Sequence, residues 1–130
     1  MVRNSLVAID TNVAIAVLNG DKKLLNSLKK FESIFLHVVC GELLFGAYNS
    51  LHSKSNLAVF KKFIHDCLIL DSSFPVTENY ARIRKSLKDK GKPIPENDIW
   101  IAATCMFHEV PLVTYDKHFH FVSGLKLVRI

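Results

Sequence analysis

Two kinds of apolar cluster follow one another along this chain: short unbroken runs, and longer stretches where apolar residues recur at helical spacing. Leu6-Val7-Ala8-Ile9 is a run of the first kind, short enough for a strand buried on both faces, and Asp10 ends it. Asn12 to Leu18 predicts a short apolar helix closed by the pair Asn19-Gly20. Asp21 is placed to cap a second helix, whose Leu24, Leu25, Leu28 and Phe31 form one face opposite the lysines. Ile34 to Val38 predicts a second strand, and Cys40 to Tyr48 a helix with Glu42 in its first turn. From Ser53 or Ser55 to Cys67, residues Leu57, Phe60, Phe63 and Ile64 mark a long amphipathic helix. Leu68-Ile69-Leu70 is a third strand, Phe74 to Thr77 a loop and cap, and Glu78 to Lys90 a basic helix stopped by Gly91.

The rest of the chain is organised around Gly91 to Phe121. Pro93 and Pro95 hold the approach extended, since proline fixes its own φ and keeps its predecessor out of the helical region. Asn97 or Asp98 then opens a nearly all-apolar helix, Ile99 to Phe107. Beyond Pro111, Leu112-Val113-Thr114 reads as a buried fourth strand with Asp116 just past its end, and Lys126 to Val128 as a last strand. Strands and helices alternate throughout. The expected architecture is therefore α/β: a central, mostly parallel sheet of four to five strands, covered by helices on both faces in three layers.

Composition narrows the class. Apolar residues make up 49% and charged residues 22%, which is globular rather than disordered, and 130 residues suffice for one domain. No apolar run reaches the ~20 residues of a membrane span, and Arg3 precedes only a short strand rather than a signal-peptide core. Cys40, Cys67 and Cys105 are odd in number and sit in apolar segments, fitting neither a disulfide framework nor a zinc signature. A reducing cytoplasm is the expectation. The net charge of +5 gathers near Lys22, Lys23, Lys29 and Lys30 and again over Arg82 to Lys92. It is compatible with a nucleic-acid partner without requiring one.

The candidate chemistry lies in four acids with one relation to this scaffold. Asp10 follows the first strand, Glu42 opens the helix after the second, Asp98 opens a helix, and Asp116 follows the fourth strand. Taken singly each has a plain explanation as a cap, a turn residue or a solvated helix position. Jointly they would share the edge where parallel strands end. Two carboxylates ~6 Å apart repel by roughly 3 kcal/mol at an effective dielectric near 20, so four need either protons or a cation. Histidines do not accompany them at metal-ligand spacing, and an all-oxygen donor set suits Mg²⁺, with Mn²⁺ as substitute, rather than zinc. Such a site serves phosphoryl chemistry.

These segments, IDTNVAIAVLNG, VVCGELLFGAYNS, GKPIPENDIWIAAT and LVTYDKHF, together resemble the PIN-domain ribonucleases, most of all the VapC-type toxins of toxin–antitoxin pairs. The resemblance runs from Leu6 to Val128 and implies a single PIN-like nuclease domain over residues 1–130. It implies that Asp10, Glu42, Asp98 and Asp116 are the catalytic and metal-binding acids, and that Thr11, Asn12 and Thr114 support them. It further implies Mg²⁺-dependent endonucleolytic cleavage of single-stranded or structured RNA, leaving 5′-phosphate and 3′-hydroxyl ends. A VapB-type antitoxin and a homodimer are the implied protein partners. The helices at Asn12–Leu18 and Ser55–Cys67 offer apolar faces for an antitoxin segment, or simply for the core.

Three other readings compete. A PIN-like module outside a toxin–antitoxin pair, binding or processing RNA with or without cleavage, would still carry the fold. A metal-free ribonuclease using His118 and His120 lacks a second catalytic partner at suitable spacing. A response-regulator-like switch has Asp71 as phosphoacceptor but lacks the acidic pair after its first strand. Trp100 and the phenylalanines are periodic, as core residues are, rather than arranged to stack bases.

Overall fold

Parallel strands need a crossover between each pair, and here helices supply it. The computed structural model describes residues 5–71 and 73–128. Its strands are β1 (Ser5–Ile9), β2 (Phe31–Leu36), β3 (Ile69–Leu70), β4 (Leu112–Val113) and β5 (Leu127–Val128). Its helices are α1 (Thr11–Leu18), α2 (Lys22–Leu28), α3 (His37–Tyr48), α4 (Ser53–His65), α5 (Phe74–Asp89) and α6 (Glu96–His108), with a 3₁₀ turn at Lys117–Phe121. The sheet has the order β3-β2-β1-β4-β5, and every pairing is parallel. Neighbouring residues on β1 point to opposite faces, and Val7, Ala8 and Ile9 are 0, 0 and 1% exposed. Both faces are therefore covered, as the unbroken apolar run predicts.

The core extends from these strands into the helices. Phe63 of α4 meets Phe35 of β2 edge-on at 5.3 Å, and Phe60 and Ile64 pack on the same core. Most of the apolar face of α4 is thus core. Tyr80 of α5 stacks on Trp100 of α6 with ring centroids 4.0 Å apart, which accounts for Trp100 as a packing residue. Among the described residues no helix is long and apolar enough to cross a membrane.

Several boundaries differ from expectation. Helix α3 starts at His37, directly after β2, so Glu42 lies in its second turn instead of its first. Val38 and Val39 favour strand, but Val39 is fully buried within the helix, and packing overrides so weak a preference. Phe31 sits in β2 and not on the face of α2. Helix α5 begins at Phe74 and takes in Pro75, whose missing N–H costs nothing in a first turn. Helix α6 begins at Glu96 with Pro95 at its cap, which leaves Asp98 inside the first turn. The turn at Lys117–Phe121 had no counterpart in the sequence pattern.

Candidate active site

Strand β1 is central, and the strand order reverses between it and β4. In open α/β sheets the crevice outside the carboxyl ends at such a reversal is the ligand site. Ile9 is in register with Val113, so residues 10 and 114 leave the sheet side by side.

Asp10 is 5% exposed, and its backbone N–H still belongs to the sheet, donating to the Val113 carbonyl at 3.0 Å. Its carboxylate is fixed from both sides: Oδ1 accepts from the Thr11 N–H at 2.8 Å and Oδ2 from the Thr114 hydroxyl at 2.7 Å. Asp10 is therefore the cap of α1, the plain reading, and it stands where β1 and β4 leave the sheet. The Thr11 hydroxyl donates to Glu42 Oε1 at 2.9 Å, tying α3 to the same place. The Thr114 hydroxyl accepts from the Asp116 N–H at 3.0 Å, so one threonine side chain links two of the acids. Asn12 is exposed on α1 and is not among the residues hydrogen-bonded to these carboxylates.

Asp98 shows how close the acids are. Its place in the first turn of α6 favours the ionised form by about 0.3–1 kcal/mol through the helix dipole. Burial opposes this, reinforced by Asp10, Asp116 and Glu42 in that order, with His118 pulling the other way. The opposition wins: the Asp98 carboxyl is pushed up to about 6. Asp10, Glu42 and Asp116 thus all lie near enough to Asp98 to raise its proton affinity.

Against the expectation that no histidine accompanies the acids at metal-ligand spacing, His118 stands beside two of them. Asp116 caps the 3₁₀ turn, its Oδ1 accepting from the His118 N–H at 2.8 Å, and this brings the imidazole Nδ1 within 3.1 Å of the same oxygen. One donor atom each from Asp98, Asp116 and His118 lies within 4.8 Å of the others. The available signal was Asp-x-His with the aspartate at a turn cap. The spacing is too short for a helix or a zinc motif, so by itself it predicts no ligand. Thiols take no part: Cys105 is pushed up to about 12 by burial, with Asp10 adding to it, and Cys40 is raised by burial.

The surroundings carry cations unevenly. A cleft of about 460 Å³ leads away from Asp116 past Tyr115, Lys117 and His120, and a smaller one beside Tyr115 contains Lys23 and Ser27. The Arg82–Lys92 tract has local partners instead: Arg82 with Glu78, Arg84 with Glu96, Lys85 with Asp89, and Lys90 with Ser123.

The donor chemistry fits a divalent cation. Carboxylates that raise one another's proton affinity are those a cation relieves, and Asp98, Asp116 and His118 already stand close enough to share one, with Asp10 and Glu42 adjoining.

Proteins similar to this chain include named ribonucleases. A family model described as PIN domain matches residues 7–125. The chain is 32% identical over 124 residues to ribonuclease VapC2 of Haemophilus influenzae, covering 91% of this chain and 92% of that protein. It is 26% identical to the tRNA(fMet)-specific endonuclease VapC of Shigella flexneri, again over 91% of this chain and 92% of the relative. A crystal structure of VapBC2 from Rickettsia felis, bound to a DNA fragment from its promoter, contains a chain that superposes with a TM-score of 0.86. The two are 26% identical, over 95% of this chain and 97% of the other.

Proposed function

The chain belongs to the PIN-domain family and to its VapC ribonucleases, and from that premise we propose that it is a metal-dependent endoribonuclease, the toxin of a VapBC-type pair, working in the cytoplasm as one nuclease domain over residues 1–130. The observation that carries this is the gathering of donors at the sheet's switch point: Asp98, Asp116 and His118 stand close enough to share a cation, and burial, followed by Asp10, Asp116 and Glu42, raises the proton affinity of Asp98. Groups so placed have little use in a core and an evident one around a cation.

In this reading Asp98 and Asp116 hold Mg²⁺ or Mn²⁺, with Asp10 and Glu42 completing the site. A hard divalent ion supplies an activated water and neutralises charge on the leaving oxygen of an in-line displacement. The protein's part is positional. Thr114 locks the Asp10 carboxylate and the Asp116 backbone together, and Thr11 does the same for Asp10 and Glu42. Lys23 and Lys117 flank the approach beside Tyr115, where they draw in a phosphodiester that the acids alone would repel. The RNA class is not narrowed to transfer RNA, although a relative named for tRNA(fMet) makes it the first substrate to try.

The partners follow from the same family. A VapB-type antitoxin covers exposed apolar residues of this chain, and the toxin forms a homodimer. Four large apolar side chains are exposed on or near the α3–α4 hairpin: Phe45, Tyr48, Leu51 and Val59.

The deciding experiment is RNA cleavage with and without EDTA, on wild type and on Asp98→Asn. Wild type should cut only with Mg²⁺ or Mn²⁺. The variant should fold, judged by circular dichroism, and lose ~100-fold or more of the activity, several kcal/mol of transition-state stabilisation. Cleavage that survives EDTA would end the metal-dependent reading; RNA binding without cutting under any metal would favour the non-cleaving module.

A further inference from the structure

His118 belongs to no support network around the acids except through Asp116. Its backbone is nonetheless firmly set. Phe119, next in the chain, is fully buried, Val122 is 5% exposed, and the Asp116 carboxylate clasps the His118 N–H at 2.8 Å. The turn thus orients the imidazole from behind while the side chain stays 56% exposed beside Asp116. One ring nitrogen, one Asp98 oxygen and one Asp116 oxygen lie within 4.8 Å of one another. Donors bound to a single ion at ~2.1 Å stand about 3–4.2 Å apart, so the triangle closes with side-chain adjustments of under about 1 Å. Asp10 differs: a backbone N–H and a hydroxyl already engage its two oxygens. Among the described residues no hydrogen-bond donor engages the Asp98 carboxylate, which leaves it open to a cation.

We propose that His118 supplies an imidazole nitrogen to the cation held by Asp98 and Asp116, making this centre a mixed nitrogen–oxygen site. The inference rests on the cation-site reading above and refines it. A nitrogen donor favours borderline ions over hard ones. The chain should therefore hold Mn²⁺ more tightly relative to Mg²⁺ than four carboxylates alone would.

Pulsed electron paramagnetic resonance on the Mn²⁺-loaded protein at pH 7.5 tests this without reference to catalysis. A directly bound imidazole gives a ¹⁴N modulation on the manganese signal. Wild type and His120→Ala should both show it, and His118→Ala should lose it. Calorimetry on the same variants should show His118→Ala weakening Mn²⁺ binding on the order of tenfold or more, with Mg²⁺ affected distinctly less. The exposure of the ring makes misfolding of the variant easy to check by its melting temperature. Mn²⁺ bound without any ¹⁴N modulation, yet released by Asp98→Asn, overturns the histidine ligand and leaves the cation site standing. No Mn²⁺ binding at millimolar concentration overturns both.

Discussion

Asp98 concentrates the cost of the site in one residue. Its carboxyl, ordinarily near 3.8, is pushed up to about 6 in the folded chain, first by burial and then by Asp10, Asp116 and Glu42. Between those values the folded state binds more protons than the unfolded state, so stability from this group is fully present below about pH 4 and is lost as pH rises through about 6. The metal-free protein should accordingly melt higher at pH 5 than at pH 7.5, and Asp98→Asn should reduce that difference. Mg²⁺ should raise the melting temperature of wild type at pH 7.5 more than at pH 5, because protons and metal compete for the same oxygens. Scanning calorimetry in EDTA and in Mg²⁺ at both pH values measures all of this. An Asp98→Asn protein with an unchanged pH slope would assign the slope to other groups.

At the scale of elements, two threonines convert strand ends into a site. Thr114→Val keeps shape but deletes a hydroxyl that donates to Asp10 and accepts from Asp116. Two hydrogen bonds at about 1 kcal/mol each, around a carboxylate that is 5% exposed, predict a loss of ~1–3 kcal/mol in urea unfolding along with weaker cleavage. A variant as stable and as active as wild type would show that Asp10 does not depend on Thr114. The strands and the convergence of the four acids were legible because parallel order follows from βαβ alternation, and parallel order gathers strand ends. Helix starts were less legible. Val38 and Val39 look like strand until packing is known, and Pro75 reads as loop although a first turn accepts it. The place of His118 among the donors was illegible for a different reason. Its position depends on a 3₁₀ turn capped by Asp116 and anchored by Phe119, and no periodicity announces a turn of five residues.

Across the whole molecule, a net charge of +5 surrounds a crevice that is acidic, so attraction of RNA and its local repulsion coexist and the cation reconciles them. The other feature at this scale is apolar. Leu51 is 94% exposed, Phe45 69% and Tyr48 64%. Each such side chain gains about 1.5–3 kcal/mol when covered, which is ample reason for the α3–α4 hairpin to be an assembly surface. Replacing Phe45 and Leu51 together by aspartate should leave the melting temperature nearly unchanged, because solvent-facing substitutions typically stay within about 0.5 kcal/mol. The same change should cut assembly by ~100-fold or more, since two covered apolar side chains carry about 3–6 kcal/mol. Size exclusion with light scattering, on the toxin alone and co-expressed with its antitoxin, reads the outcome. A fall in mass only in the co-expressed sample marks the hairpin as the antitoxin's, and a fall in the toxin alone marks it as the dimer's. Unchanged mass in both would leave these residues exposed in every state and remove the hairpin from the assembly.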